Sequence, residues 1–239
     1  MSLSNIIQQK DKHFQSMLNQ FDREYQTLSV EAQKLIMSLF RNGDYTAESL
    51  AQTMSVHDDL INEWAIRNQE AIKFSKMMAN EMGVKFAITK ETVRNFDLIQ
   101  GMNGDNLSKN VTSYIADIRR FGLQSKLEGR SFKDITKGLA GKFEELGRRL
   151  NTEAGTGIRM ADRTVNMDFF KQAGIEKYIY FGPSDGKTRD ACQDTLADSR
   201  QAEGWTMDQI NNDNPYGTTF TDCGGFNCRH DWLPYVEGQ

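Results

Sequence analysis

Four residues late in this 239-residue chain carry the side chains best suited to chemistry: Cys192, Cys223, Cys228 and His230. Thiolate sulfur and imidazole nitrogen are the donors that a tetrahedral Zn²⁺ ion takes. The Cys228-x-His230 spacing puts two of them on the same face of an extended segment, with Cys192 as a third donor and Cys223 as a candidate fourth. A small, turn-rich unit with few apolar residues gains from such an ion, because bound zinc contributes on the order of 10 kcal/mol to folding units of this kind. The spacing is not one of the familiar paired-knuckle patterns. A second reading therefore stands beside the first, in which the cysteines pack as small hydrophobes and His230 hydrogen-bonds locally. Three clustered cysteines argue against a disulfide framework. Cys192 and His230, with Asn227 or Asp231, also supply the residue types of a nucleophile, a base and an orienting group. No nucleophile signature surrounds Cys192, and no Glu follows a ligand as zinc hydrolases and deaminases require. The expectation is a protein that is not an enzyme.

The residues around these donors read as structural. Asp185 starts a turn and caps a helix begun at Thr188, while Arg189 and Arg229 can pair with Asp185, Asp190 or Asp231 and tie the two segments together. From Phe181 onward there are 4 Lys/Arg against 10 Asp/Glu, a net charge of −6 that repels nucleic acid. Positive charge gathers instead between Arg119 and Arg163, with 11 basic and 6 acidic residues. Arg119, Arg120, Arg148 and Arg149 are the candidate DNA contacts there, and an ordinary solvated helix surface is the alternative.

The elements that must position these residues are mostly helical. All three prolines lie after residue 182, and the proline-free stretch before them carries apolar residues at three- and four-residue spacing. One stripe runs from Ile6 through Phe14, Phe21 and Tyr25 to Leu28, and continues through Leu35, Ile36 and Phe40 after a break near Ser29. Gly43 ends it. Further helices are expected over residues 47–54, from Asp58 or Asp59 through Leu60, Ile61, Trp64, Ile66, Ile72 and Met78, and from Val111 to about Gly129. The glycines and Asx residues of Gly101–Asn106 read as a hinge or tight connection. Ser131–Asp134 resembles a capping box before a stripe of Ile135, Leu139, Phe143 and Leu150, and a last helix spans about residues 157–172. Helices of 15 to 25 residues imply a bundle or arm. Residues 175–181 suit a strand. The fold class is thus a mainly α N-terminal arm or bundle, residues 1–129, followed by a domain over 130–239 that ends in a small α+β cap. No apolar run approaches the ~20 residues needed to cross a bilayer, and Met1–Lys10 lacks a basic leader with an apolar stretch, so the expected place of synthesis is a cytoplasm.

Four segments of the second part stand in a telling order: Arg163-Thr164-Val165-Asn166, Ala173-Gly174-Ile175-Glu176-Lys177-Tyr178, Asp185-Gly186-Lys187-Thr188-Arg189 with Cys192, and Gly224-Gly225-Phe226-Asn227-Cys228-Arg229-His230 with Pro234. Over roughly residues 131–236 the chain resembles the phage Mu F-like minor head proteins, also called phage head morphogenesis proteins. The resemblance implies a virion component of a tailed phage, made in the infected bacterium and built into the head in a few copies near the portal. Its implied partners are the portal protein, with the scaffold or major capsid protein as further candidates, and packaged DNA through weak electrostatics. The chain departs from the pattern of many relatives, which carry a His where it has Cys192 and a second Cys where it has His230, and both swaps exchange one metal-ligand type for another. Residues 1–129 receive little from the resemblance. The alternatives are a metal-containing or cysteine-dependent enzyme delivered with the virion, and a DNA-binding packaging accessory.

Overall fold

The computed structural model describes residues 3–67 and 70–235. It is mostly helical, with α1 (Leu3–Arg41), α2 (Ala47–Met54), a 3₁₀ turn (Ser55–His57), α3 (Asp58–Arg67), α4 (Ala71–Glu81), α5 (Lys90–Leu127) and α6 (Phe132–Gln172). The C-terminal part follows as β1 (Tyr178–Phe181), α7 (Asp190–Gln201), a π-helical turn (Gln209–Asp213) and β2 (Asp231–Pro234). This is the expected α region with a small α+β end. The helices are longer than expected: α1, α5 and α6 have 39, 38 and 41 residues. α1 passes through Ser29 without a break, and the 157–172 segment is the second half of α6. Gly101–Asn106 is no hinge but the interior of α5. A glycine there weakens a helix by only about 1 kcal/mol, and the buried stripe of Leu107, Val111, Tyr114 and Ile118 outweighs it. The helix expected from Asp58 to Met78 is two helices, α3 and α4. Leu35 and Ile66, counted in apolar stripes, are exposed, because Ile36 and Trp64 take the inward positions.

Backbone contacts group the chain into two compact units, residues 12–67 with 101–154, and residues 1–11 with 68–100 and 155–239. The expected division at 129/130 falls inside the first of these units, in the turn between α5 and α6, where Ser131 Oγ accepts from the Asp134 amide at 3.2 Å as the capping box requires.

In the first unit aromatic rings lie directly on helix backbone. A Cβ on Gly122, Gly138 or Gly147 would collide with Phe40, Phe121 or Tyr25 respectively. Tyr25 then donates its hydroxyl to the Phe143 carbonyl at 2.7 Å, and the rings of Tyr25 and His57 lie 5.3 Å apart.

The second unit is built around the C-terminal half of α6, which is buried on nearly all sides from Ala154 to Phe170. Ala161 and Val165 pack with Phe96, Ile72, Phe86 and Ile99. Phe169 and Phe170 continue through Tyr178 and Phe220 as a chain of ring contacts of 5.0 to 6.3 Å. β1 pairs antiparallel with β2 in the register Tyr178↔Pro234 to Phe181↔Asp231. Alternation in β1 turns Tyr178 and Tyr180 inward, and Tyr180 meets Trp232 at 4.9 Å.

Candidate metal centre

Three chain segments converge beside β1. α7 begins at Asp190 and brings in Cys192 on its first turn. The loop before β2 supplies Cys228 and His230. β1 places Tyr180 against them. Cys192, Cys228 and His230 each offer one ligand atom, and these atoms lie within 4.8 Å of one another. Cys192 Sγ stands 3.9 Å from Cys228 Sγ, and Cys228 Sγ stands 3.4 Å from His230 Nδ1. All three side chains are buried, and all three cysteines are free thiols. This group could hold a metal ion.

The histidine is oriented for that task. Its Nε2 lies 2.9 Å from the Pro183 carbonyl, which can only accept, so in the neutral ring the proton sits on Nε2 and the Nδ1 lone pair faces Cys228. A ligating histidine held through its other nitrogen by a backbone carbonyl is the usual arrangement at metal sites. Two glycines leave room for these groups: a Cβ on Gly182 would strike the His230 ring, and one on Gly224 would strike Cys192 Sγ and come within 3.3 Å of Cys228 Sγ. The His230 ring stacks on Tyr180, with centroids 5.0 Å apart.

Electrostatics divide the thiols unequally. Hydrogen bonds from Cys192 and then Cys223 hold the Cys228 thiol far below its ordinary range against the effect of burial. The bond to Cys228 and burial push Cys192 up, and burial does the same to Cys223. Cys223, the candidate fourth ligand, lies outside the three-residue group; its thiol stands 3.7 Å from the Phe220 carbonyl, and its backbone has φ 51°.

The loop that carries Cys228 and His230 is fixed by a buried arginine. Arg163 of α6 donates to the carbonyls of Cys228 at 2.7 Å and His230 at 2.8 Å, and to Asp231 Oδ1 at 3.1 Å. Asp231 Oδ2 accepts from Lys10 Nζ at 2.8 Å, and Lys10 also reaches Asp162 Oδ2 at 2.7 Å. Two cations and two carboxylates, each under a tenth exposed, thus form one charge-balanced network. Burial opposes the charge on Lys10, but Asp162 and Asp231 outweigh it and raise its pKa. Asp231 is held down by Lys10 and Arg163 against its own burial, whereas burial wins at Asp162 and raises it.

The motif residues around the site serve as fasteners. Asp185 Oδ1 accepts from the Lys187 amide at 2.9 Å in an Asx turn. α7 starts after Arg189 with no side-chain cap, so Thr188 is a turn residue and not a helix start; its hydroxyl stands 2.9 Å from the Pro183 carbonyl. Arg229 forms a two-pronged pair with Asp185 at 2.6 and 2.8 Å, and that hydrogen bonding holds Asp185 well below the usual carboxylate range. Arg189 donates to the carbonyls of Gly224 and Phe226 instead of pairing with a carboxylate. Asn227 has φ 53°, a conformation Asn tolerates, and its amide donates to Thr156 Oγ1 at 2.9 Å.

The four candidate DNA contacts lie on exposed faces of α5 and α6, in the other unit. Arg148 and Arg149 pair with Glu144 and Glu145, Arg120 with Asp117, and Arg119 donates to the Tyr45 carbonyl. Tyr180, Lys10 and Asp162 are site residues that sequence reasoning missed, and Arg163 was named there only within a motif segment, with no role in the site. The signal for Tyr180 was its same-face spacing with Tyr178. For Arg163 it was the run Arg159, Asp162, Arg163 and Asn166, a polar stripe inside a helix whose other faces are apolar. Comparisons with protein-family models, curated proteins and solved structures find no match to this chain. No helix among the described residues is long and apolar enough to cross a membrane.

Proposed function

We propose that this chain is a non-enzymatic assembly protein, a minor head protein of a tailed phage that acts in head morphogenesis at the portal vertex. The C-terminal cap is a folding clamp, with Zn²⁺ bound by Cys192, Cys228 and His230, and the long helices are the docking elements for the portal and neighbouring head proteins. The observation that supports this reading is the burial of the Cys192, Cys228 and His230 cluster. Cys192 is 1% exposed, Cys228 4% and His230 2%. A reaction centre must admit a substrate, whereas a structural zinc site is closed. The two halves of the motif set, joined through Arg229 with Asp185 and through Arg189 with the Gly224 and Phe226 carbonyls, fasten one another.

Particles assembled without this protein should show altered head assembly, DNA content or infectivity, and normal values for all three refute the role. Cys192→Ala separates the enzyme alternative from this one: loss of infectivity with intact assembly would favour catalysis. Elemental analysis of protein purified under reducing conditions tests the ion, with about one zinc per chain expected and a metal-free, fully stable protein refuting it.

A further inference from the structure

Zinc in a structural site takes four protein donors, and the group described so far supplies three. We propose that Tyr180 Oη is the fourth ligand, so that the cap holds its metal in a closed Cys₂HisTyr set; this inference rests on the metal reading above.

Four of the six edges of a tetrahedron are in place. With metal–sulfur bonds of about 2.3 Å and metal–nitrogen or metal–oxygen bonds of about 2.0 Å, tetrahedral edges come to about 3.8 Å between sulfurs and about 3.5 Å between sulfur and nitrogen or oxygen. The Cys192–Cys228 sulfur pair is 3.9 Å apart, and Cys228 Sγ to His230 Nδ1 is 3.4 Å. Tyr180 Oη stands 3.6 Å from Cys192 Sγ and 3.4 Å from Cys228 Sγ. Four of the six edges therefore match within about 0.2 Å. Cys223 is hydrogen-bonded to Cys228 but lies outside the three-residue group.

Tyr180 is also held where a ligand must be. It is completely buried. Its ring stacks on His230 and meets the indole of Trp232, and its backbone amide is fixed by Ser199 Oγ at 3.1 Å. Gly224 passes the same spot, where an added Cβ would stand 3.6 Å from Tyr180 Oη. A water ligand at the fourth vertex would have to displace this hydroxyl from both sulfurs.

The test loads the full chain with Co²⁺ under reducing conditions and looks for a coordinated, exchangeable water by pulsed EPR in H₂O and D₂O. The proposal expects none in the wild type. It also expects Tyr180→Phe to gain such a water and to bind Co²⁺ or Zn²⁺ about tenfold or more weakly in chelator competition. A coordinated water in the wild type overturns the assignment whether or not the variant folds, as does a Tyr180→Phe protein with unchanged affinity and spectrum. A wild type that binds neither metal removes the metal reading itself, a result distinct from metal bound with water in place of the phenol.

Discussion

Replacing Lys10 with Met keeps the aliphatic stem and removes one charge from the buried network of Lys10, Arg163, Asp162 and Asp231. Two carboxylates are then left with one cation, and Asp162 loses a donor that stood 2.7 Å away. Breaking a buried ion pair on one side costs about 3–5 kcal/mol, because the remaining charge stays desolvated. At about 2–4 °C per kcal/mol for a chain of this size, the melting temperature should fall by about 6–20 °C. The loss should depend on pH in a defined direction. Asp162 already has a folded-state pKa above its unfolded value of 3.8 because of burial; without Lys10 it rises further. A raised folded pKa contributes stability that is fully present below the unfolded pKa and is lost as pH rises through the folded one. The Lys10→Met penalty should therefore be larger at about pH 8 than at about pH 5. Adding Asp162→Asn restores charge balance and should recover at least about 1 kcal/mol. Thermal and urea denaturation of the three variants measure all of this. A drop under about 2 °C, or a double variant no more stable than the single one, would refute the reasoning.

Other sites give independent checks. Burial lowers the pKa of His57, whose Nδ1 lies 3.0 Å from the Met54 carbonyl, so the folded protein keeps it neutral; stability should fall as pH is lowered through about 6.5, where the unfolded chain begins to bind the proton. Urea melts of His57→Met should show a flatter pH dependence across that window, and an unchanged slope would count against the assignment. Gly101→Ala, in open space within α5, should raise stability by about 0.5–1 kcal/mol. Gly147→Ala puts a Cβ 2.5 Å from Tyr25 Cε1 and should lower stability by about 1–3 kcal/mol, so equal signs for the two glycines would contradict the helix assignment. A chelator should lower the melting temperature of the zinc-loaded wild type and leave that of Cys228→Ser unchanged; identical responses would place the ion elsewhere.

What the sequence made legible was local. Gly43, at φ 77°, and the Ser131–Asp134 box ended and started helices where their chemistry said they should. Cys228 and His230 met because alternation in an extended segment puts them on one side. Gly101–Asn106 misled because turn composition is a statement about a few residues, whereas α5 is held by a stripe several turns long. Helix length was illegible for the same reason: a glycine can mark a break or a place where a ring presses on the backbone, and only Phe40 against Gly122 or Tyr25 against Gly147 tells them apart. The charged network could not be read at all. Lys10 and Asp231 are 221 positions apart, and a lysine in an amphipathic helix ordinarily faces water.

That separation has a consequence in time. During synthesis at about 5–20 residues per second, Lys10 is made roughly 11–44 seconds before Asp231. For that interval its ammonium has no carboxylate from β2, and the second unit lacks the strand that β1 pairs with. The chain's earliest helix thus waits for its latest strand, and a nascent polypeptide stopped short of residue 231 should be the form most readily taken by proteases.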